Sequence, residues 1–214
     1  MLRVLTRTSG FTLVELIVGM LIFSIGMTGI LALLHSTINN SLYSRYEIVA
    51  GNLLREEIEL VKNIRNSNVR NFIPYDSVII DGSTATGLAS GTYIVENNFA
   101  YSGVSIQSTD GKVLKMPVKL KPITLTGDIA NRFSLSRLYL DAQGRYTHTP
   151  TATGTIYASY IIISPLTFSD GDDNTIAVEK DGKTQGYTID ARVLVQSRGY
   201  QEYDLKSLIT DWKK

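Results

Sequence analysis

The hydrophobic pattern divides the chain into an uninterrupted apolar run, an amphipathic helical repeat and a series of short alternating segments. From Phe11 to Leu34 the only formally charged residue is Glu15, and the next one along the chain is Arg45. About 20 apolar residues suffice to cross a bilayer as a helix. The first stretch therefore predicts a transmembrane helix over residues 11–34.

The second stretch, residues 38–65, keeps the period of a helix. Apolar residues share one side of the helical wheel or its shoulder, and charged residues lie opposite: Leu42, Tyr46, Val49, Leu53, Leu60 and Ile64 on the side, Ala50, Leu54 and Val61 on the shoulder, and Arg55, Glu59 and Lys62 opposite. Asparagines at 63, 66, 68 and 71, followed by Pro74, indicate the end of the helix. We therefore expect the helix beyond the membrane to cover 35–66.

Past Pro74 the pattern becomes that of β-strands bounded by Gly, Asp, Asn and Pro. Candidate strands are SVII from Ser77, GTYIVE from Gly91, GVSIQS from Gly103, VKLK from Val118, FSLSRLYLD from Phe133, IYASYIIIS from Ile156, AVEK from Ala177, YTIDARVLVQS from Tyr187 and EYDLKSLI from Glu202. Strands in sequence without helices between them favour antiparallel pairing. The predicted fold is α+β: a long N-terminal helix, membrane-spanning in its first half, packed on an antiparallel β-sheet domain over 67–214.

Composition and charge exclude several functions. The net charge of +1 argues against a nucleic-acid binder. The chain has no cysteine, which excludes disulfides, thiolate zinc sites and cysteine nucleophiles. Its two histidines, His35 and His148, argue against a histidine metal cluster, and no hydrolase motif is present. We therefore expect neither an enzyme nor a bound cofactor.

A short basic leader precedes the apolar run. Arg3 and Arg7 place this end in the cytoplasm by the positive-inside rule, so everything after about residue 35 faces the other side. A secretory signal peptide has its apolar stretch before the cleavage point. Here Gly10 comes before the apolar stretch, so that cleavage at Gly10 removes 1–10 and keeps the membrane anchor.

The string Gly10-Phe11-Thr12-Leu13-Val14-Glu15, followed by a long apolar helix, closely resembles the processing site of type IV pilins and type II secretion pseudopilins. The resemblance implies that a membrane-embedded aspartyl peptidase cuts after Gly10 and N-methylates Phe11. It also implies that Glu15 is the carboxylate used in assembly, and that the fold is pilin-like.

The function implied by the resemblance is structural: a subunit drawn from the inner membrane into a pilus or secretion pseudopilus. The partners would be the prepilin peptidase and N-methyltransferase, other pilin or pseudopilin subunits, the inner-membrane assembly platform and membrane lipid. Many major pilins have a C-terminal disulfide, which this chain cannot form, so a minor subunit is favoured. The alternative is a single-pass anchored periplasmic β domain that binds a ligand or partner without entering a fibre.

Two carboxylates lie in apolar surroundings. Glu15 costs about 2.5–3.5 kcal/mol inside a membrane, unless it pairs with the N-terminal amine of a neighbouring helix or reaches the cytoplasmic interface. Glu57 falls near the centre of the apolar side of the second stretch. Glu57 is interpreted as a rim carboxylate paired with a Lys or Arg of the following domain, and the other interpretation is a contact to the next subunit in a fibre.

One acidic segment has the spacing of a calcium loop. Asp170, Asp172 and Asn174 alternate as calcium ligands do, but Thr175 stands where such a loop has glycine and Asp181 where it has a bidentate glutamate. Some pseudopilins hold calcium in a C-terminal loop. A plain polar turn is the favoured interpretation, and a calcium site is the alternative.

Overall fold

The structure is a computed structural model that describes residues 10, 12–70, 72–79, 85–97, 105–107, 113–115, 118–150, 153–169, 175–177, 179–180 and 183–210. The chain forms two compact units, Met1–Glu47 and Ile48–Lys214.

The longest element is helix α1, Leu13–Arg70, which runs through both units. In the first unit none of its described residues is buried, and the large apolar side chains from Leu13 to Leu34 are about half exposed or more. In the second unit the buried residues of α1 are Ala50, Leu53, Leu54, Glu57, Ile58, Val61, Ile64 and Asn68. The buried side includes the residues predicted on the shoulder, whereas Leu42 on the predicted side is 41% exposed.

Helix α1 ends at Arg70 rather than at the predicted 66. The reason is a tertiary contact, because the side chain of the buried Asn68 donates hydrogen bonds to the carbonyls of Tyr75 (3.3 Å) and Ser77 (2.6 Å). Beyond the helix, the amide of Phe72 bonds to the carbonyl of Val69 and the amide of Ile73 to that of Asn68. These two bonds form a Schellman motif, with Phe72 in the left-handed conformation (φ 60°) where glycine is usual.

The second unit is built on a seven-stranded antiparallel sheet. Its path is β15 (Tyr200–Thr210), β14 (Gly186–Gln196), β9 (Thr153–Pro165), β3 (Gly91–Asn97) and β6 (Val118–Pro122). Strand β7 (Arg137–Leu140) pairs with β9 and with β8 (Tyr146–Thr147). The remaining strands form four two-stranded ladders: β1 (Ser77–Ile79) with β2 (Ala85–Gly87), β4 (Ser105–Gln107) with β5 (Val113–Lys115), β10 (Thr167–Ser169) with β11 (Thr175–Ala177), and β12 (Glu179–Lys180) with β13 (Lys183–Thr184).

The sheet has a buried face on each side. In the register of β9 with β14, Ser159, Ile161 and Ile163 lie opposite Val193, Ala191 and Ile189, and all six are fully buried. The other face carries a second cluster of Ile94, Phe133, Ala158, Tyr160 and Leu194. Alternating residues of one strand therefore serve two cores, as a sheet covered on both sides requires.

The α+β prediction is confirmed, with α1 packed against an antiparallel sheet. The strand predicted from Phe133 is wrong in its first part, because Ile129–Leu135 forms helix α2 and the strand begins at Arg137. Asp128 caps α2, since its side chain accepts a hydrogen bond from the amide of Asn131 at 3.0 Å. Phe133 then anchors the helix in the second cluster.

Candidate processing and assembly site

Gly10 and Phe11 lie immediately before helix α1. Gly10 is exposed and outside the helix, whereas Phe11 lies outside the described residues. A Cβ added at Gly10 would meet no atom of the described structure within 4 Å. The described residues therefore give no steric reason for glycine at this position.

Glu15 and Thr12 form a reciprocal capping box at the start of α1. The carbonyl of Thr12 accepts from the amide of Leu16 at 3.2 Å, which makes Thr12 the N-cap. The Thr12 hydroxyl accepts from the amide of Glu15 at 3.3 Å, and Glu15 Oε2 accepts from the amide of Thr12 at 3.0 Å. Glu15 Oε2 also accepts from the Thr12 hydroxyl at 3.1 Å.

The capping box gives Glu15 a local role that the sequence interpretation missed. The signal was present in the chain, because a threonine followed three residues later by a glutamate just before an apolar run is typical of a helix start. The carboxylate is held in the first turn, where the exposed amides make the helix end electropositive. The arrangement thus fixes a negative group close to the point where cleavage at Gly10 would create a new amine.

The polar groups in the apolar part of α1 are satisfied within the helix. The hydroxyls of Ser24, Thr28 and Thr37 donate to the carbonyls of Met20 (2.7 Å), Ser24 (2.8 Å) and Leu33 (2.9 Å). Hydroxyls bonded in this way expose fewer unsatisfied groups to lipid. By length and composition this helix can cross a membrane, with a mean hydropathy of 2.4 in its most apolar window.

Glu57 is not the rim carboxylate that the sequence suggested. It is 6% exposed, and its Oε1 accepts a hydrogen bond of 2.6 Å from the hydroxyl of Ser159 on β9. Its Oε2 is buried and has no hydrogen-bond partner among the described residues. Burial is the main cause that raises the pKa of the Glu57 carboxyl to about 8, and the nearby Glu56 raises it further.

His148 completes this buried polar cluster. Its Nε2 lies 3.3 Å from the Ser159 hydroxyl, and burial lowers the pKa of the imidazole to about 4. Serine, histidine and glutamate are thus together, but the carboxylate bonds the serine rather than the histidine, and Ser159 is fully buried. A Ser-His-acid triad needs the acid on the histidine and the serine open to substrate. The geometry therefore does not match that catalytic arrangement.

The acidic segment with calcium-loop spacing lies outside the described residues at all four of its positions, Asp170, Asp172, Asn174 and Asp181. Within the part of the chain that the structure describes, no group of three or more acidic or histidine side chains is placed to hold a metal ion.

Comparison with known proteins gives one match. Residues 5–31 match the family described as the prokaryotic N-terminal methylation motif. No curated protein and no solved structure matches the chain. The matched segment contains Gly10, the Thr12–Glu15 capping box and the first part of the exposed apolar helix. The chain therefore carries the signature of type IV pilin and pseudopilin precursors, a structural class that is processed by a prepilin peptidase and assembles with other pilins.

Proposed function

We propose that the protein is a minor type IV pilin or pseudopilin, made as a precursor and assembled from the inner membrane into a pilus or secretion pseudopilus. The observation that carries the proposal is the matched methylation motif at 5–31, followed without a break by one helix that continues into a sheet-packed unit. Membrane anchoring is supported by the apolar, exposed first half of α1.

In this proposal the peptidase cuts after Gly10, and Phe11 becomes the N-methylated end of the mature protein. The leader 1–10 stays in the cytoplasm, 11–34 crosses the inner membrane and the second unit lies outside. Lipid, the inner-membrane assembly platform and neighbouring subunits are the partners. Glu15 would then meet the new amine of a neighbouring subunit, a contact that low dielectric strengthens.

The capping box is compatible with an assembly role in which the Glu15 carboxylate meets the amine of a neighbouring subunit. Glu15 Oε2 accepts hydrogen bonds from the backbone amide and the hydroxyl of Thr12. A carboxylate has about four acceptor sites, so that a further donor is compatible with the cap. The same side chain can therefore start its own helix and bind the amine of a neighbour.

The decisive experiment is the intact mass of the full-length protein extracted from membranes. We expect the protein to lack its first ten residues and to begin with methylated Phe11. Gly10→Val should block cleavage, because a branched side chain crowds the backbone that the peptidase must reach.

The matched control is Gly19→Val, since a Cβ at Gly19 likewise meets nothing within 4 Å of the described structure. It should be trimmed like the wild type. Normal trimming of Gly10→Val, or an untrimmed wild type, would contradict the proposal and favour an anchored domain that enters no fibre.

A further inference from the structure

Three polar side chains connect separate elements inside the second unit: Glu57 on α1, Ser159 on β9, and His148 immediately after β8. Glu57 Oε1 lies 2.6 Å from the hydroxyl oxygen of Ser159, and that oxygen lies 3.3 Å from Nε2 of His148. Glu57 is 6% exposed and Ser159 is fully buried. Buried polar groups are normally hydrogen-bonded, so these three residues, the Glu57 cluster, must largely satisfy one another.

The number of protons in the Glu57 cluster decides whether both contacts can be hydrogen bonds. The Ser159 hydroxyl has one hydrogen, and it faces two acceptors when Glu57 is ionised and His148 Nε2 carries no proton. It can donate to only one of them. A proton on Glu57 Oε1 changes this, because the carboxyl then donates to Ser159, and Ser159 can donate to His148. One proton on the carboxyl therefore satisfies both contacts, whereas an ionised carboxyl leaves one acceptor without a donor.

Two observations place that proton on Oε1 of Glu57. Burial raises the pKa of the Glu57 carboxyl to about 8 and lowers the pKa of the His148 imidazole to about 4, so at pH 7 the proton belongs to Glu57. Oε2 is buried and has no hydrogen-bond partner in the described structure. A hydroxyl at Oε2 would be a buried donor without an acceptor, whereas a hydroxyl at Oε1 has the Ser159 oxygen at 2.6 Å.

The neighbours of the carboxyl also act on its protonation. The charge of Glu56, the next residue of α1, raises the pKa of Glu57, and burial raises the pKa of Glu56 itself. Burial raises the pKa of Tyr146 on β8, so this phenol is neutral at pH 7. Neither neighbour therefore favours the ionised form of Glu57.

The surroundings of His148 favour a neutral ring. The charge of Lys121 on β6 lowers the pKa of the imidazole further, whereas a hydrogen bond to the backbone of Arg137 on β7 raises it. Burial is the largest of these causes, and the pKa stays at about 4. The bond to Arg137 fits the neutral tautomer that carries its proton on Nδ1, which leaves Nε2 as an acceptor towards Ser159.

We propose that the Glu57 cluster is a proton-dependent link between α1 and the segment that follows β8. With Glu57 protonated, the carboxyl donates to Ser159 and Ser159 donates to His148, so that the link crosses β9. When the carboxyl loses its proton to solvent, the Ser159 hydroxyl turns towards the carboxylate in a charge-assisted hydrogen bond, and His148 Nε2 loses its donor. The link is therefore made at neutral pH and released at alkaline pH. It concerns the second unit alone and is independent of processing and fibre assembly.

The test follows both ends of the link in the full-length, isotope-labelled protein in detergent micelles, from pH 6 to pH 10. Exposed carboxyls are ionised at pH 7, because their usual pKa is about 4. We therefore expect an infrared carbonyl band of a protonated carboxylic acid at pH 7, with loss of the band around pH 8 and no such band in Glu57→Gln. The ¹⁵N shift of His148 Nε2 should change with the same midpoint, while the ring stays neutral with its proton on Nδ1.

Three variants separate the link from a general effect of charge. In Glu57→Gln the amide can donate to Ser159 as the neutral carboxyl does and does not titrate, so the His148 Nε2 shift should stay constant from pH 6 to pH 10. Glu56→Gln is the matched control and should keep the step, with its midpoint moved by less than about one pH unit. Ser159→Ala removes the middle of the link, so the Nε2 step should be lost. Circular dichroism of each variant checks that it is folded.

The wild-type titration decides the proposal even if a variant does not fold. An ionised Glu57 at pH 7, an imidazolium at His148 at pH 7, or an Nε2 shift that ignores the titration of Glu57 would overturn it. An undiminished Nε2 step in folded Ser159→Ala would overturn it as well, because the charge of Glu57 would then act on the ring without the hydroxyl. None of these results depends on cleavage after Gly10.

Discussion

The two halves of helix α1 have the same secondary structure and opposite environments. From Leu13 to Glu47 no described residue is buried, whereas from Ile48 to Arg70 the helix buries a continuous side that includes Leu54, Ile58 and Val61. From Leu13 to Leu34 the helix is apolar around its circumference and carries one charged residue, Glu15, whereas from Ile48 to Arg70 it is apolar on one side only. The difference shows that helix formation alone does not determine burial: the first half needs a surrounding medium or partner that the second half finds in its own sheet.

Each half also contains one carboxylate in apolar surroundings, and the two are satisfied differently. Glu15 is hydrogen-bonded to Thr12, three residues away, whereas Glu57 is hydrogen-bonded to Ser159, on a strand that is distant in sequence. The first is a local arrangement that can form in an isolated helix, and the second exists only in the folded unit. Substitutions at Glu15 and Glu57 should separate these two kinds of carboxylate.

The largest effect is expected at Glu15. Glu15→Leu should leave insertion in the membrane equal or better, because the helix becomes more apolar, and cleavage after Gly10 should persist. Incorporation into fibres should fall by about tenfold or more, which corresponds to about 1.4 kcal/mol, because the amine of the neighbour is left unpaired in a low dielectric. The measurement is the amount of this subunit in sheared fibres relative to its amount in membranes.

Glu15→Gln separates the charge from the cap. Glutamine at the third helical position also completes a capping box, so this variant keeps the helix start and removes only the negative charge. If fibre assembly needs the negative charge of Glu15, the Glu15→Gln variant should be incorporated as poorly as Glu15→Leu or at an intermediate level. Normal incorporation of both variants at normal membrane levels would leave Glu15 as a capping residue alone.

At Glu57 we expect a pH dependence of the free energy of unfolding. The pKa of Glu57 rises from 4.5 to about 8 on folding, so the folded state binds more protons and loses stability as the pH rises between these values. The pKa of His148 falls from 6.5 to about 4, which gives the opposite slope over pH 4.5–6.5. The two slopes offset each other there, and between pH 6.5 and 8 only the loss due to Glu57 remains, about 2 kcal/mol.

Urea unfolding of the full-length protein in micelles, followed by circular dichroism, measures this profile. Glu57→Gln should flatten the slope between pH 6.5 and 8, because the amide resembles the neutral carboxyl and does not titrate. Glu56→Gln is the matched control and should retain most of the slope. An unchanged slope in Glu57→Gln would show that another group causes it.

Ser159→Ala should have a smaller effect, which depends on the same carboxyl. The substitution removes the hydrogen bond to Glu57 Oε1 and should cost about 1 kcal/mol, the net contribution of a typical hydrogen bond. Since that bond lowers the pKa of Glu57, its loss should raise the pKa further, and the cost should be greater at pH 8 than at pH 5. Ser164→Ala, at an exposed position of the same strand, is the control. Equal costs at both pH values would argue against coupling of Ser159 to the Glu57 proton.

Local patterns in the sequence predicted most of the fold, and tertiary contacts explain the failures. Hydrophobic run length and period indicated α1 and most strands of the large sheet, because these signals are repeated over many residues. The end of α1 was misplaced because Asn68, a residue typical of helix ends, is held by the carbonyls of Tyr75 and Ser77. Helix α2 was not predicted, because the residues from Phe133 alternate as in a strand, whereas Asp128 caps a short helix in the structure.

The candidate sites also divide into features that a local motif predicts and features that only tertiary contacts create. Gly10 and Glu15 were identified from a contiguous motif, and the Thr12–Glu15 cap could have been identified in the same way. The contact of Glu57 with Ser159 could not, because it joins residues 102 positions apart and no pattern in one sequence pairs them. The same holds for the approach of His148 to Ser159, which only the fold brings about. The helical period of the sequence did place Glu57 on the apolar side of the helix. Periodicity predicts the side on which a residue lies, but not its partner.

The smallest expected effect is at the C-terminal end of α1, where Phe72 rather than glycine occupies the left-handed position. Phe72 takes the left-handed conformation of the Schellman motif at φ 60°, and its side chain is 83% exposed. A non-glycine residue in this conformation costs about 1–2 kcal/mol. Glycine avoids this cost, but it loses more conformational entropy on folding, which offsets part of the stabilisation. Phe72→Gly should therefore raise the free energy of unfolding by about 0.5–1 kcal/mol.

The control is Phe72→Ala, which removes the same ring but keeps the Cβ, so it should change stability little. The difference between the two variants isolates the contribution of the backbone conformation to the free energy of unfolding. Equal stabilities of the Gly and Ala variants would show that the left-handed position at 72 stores no strain.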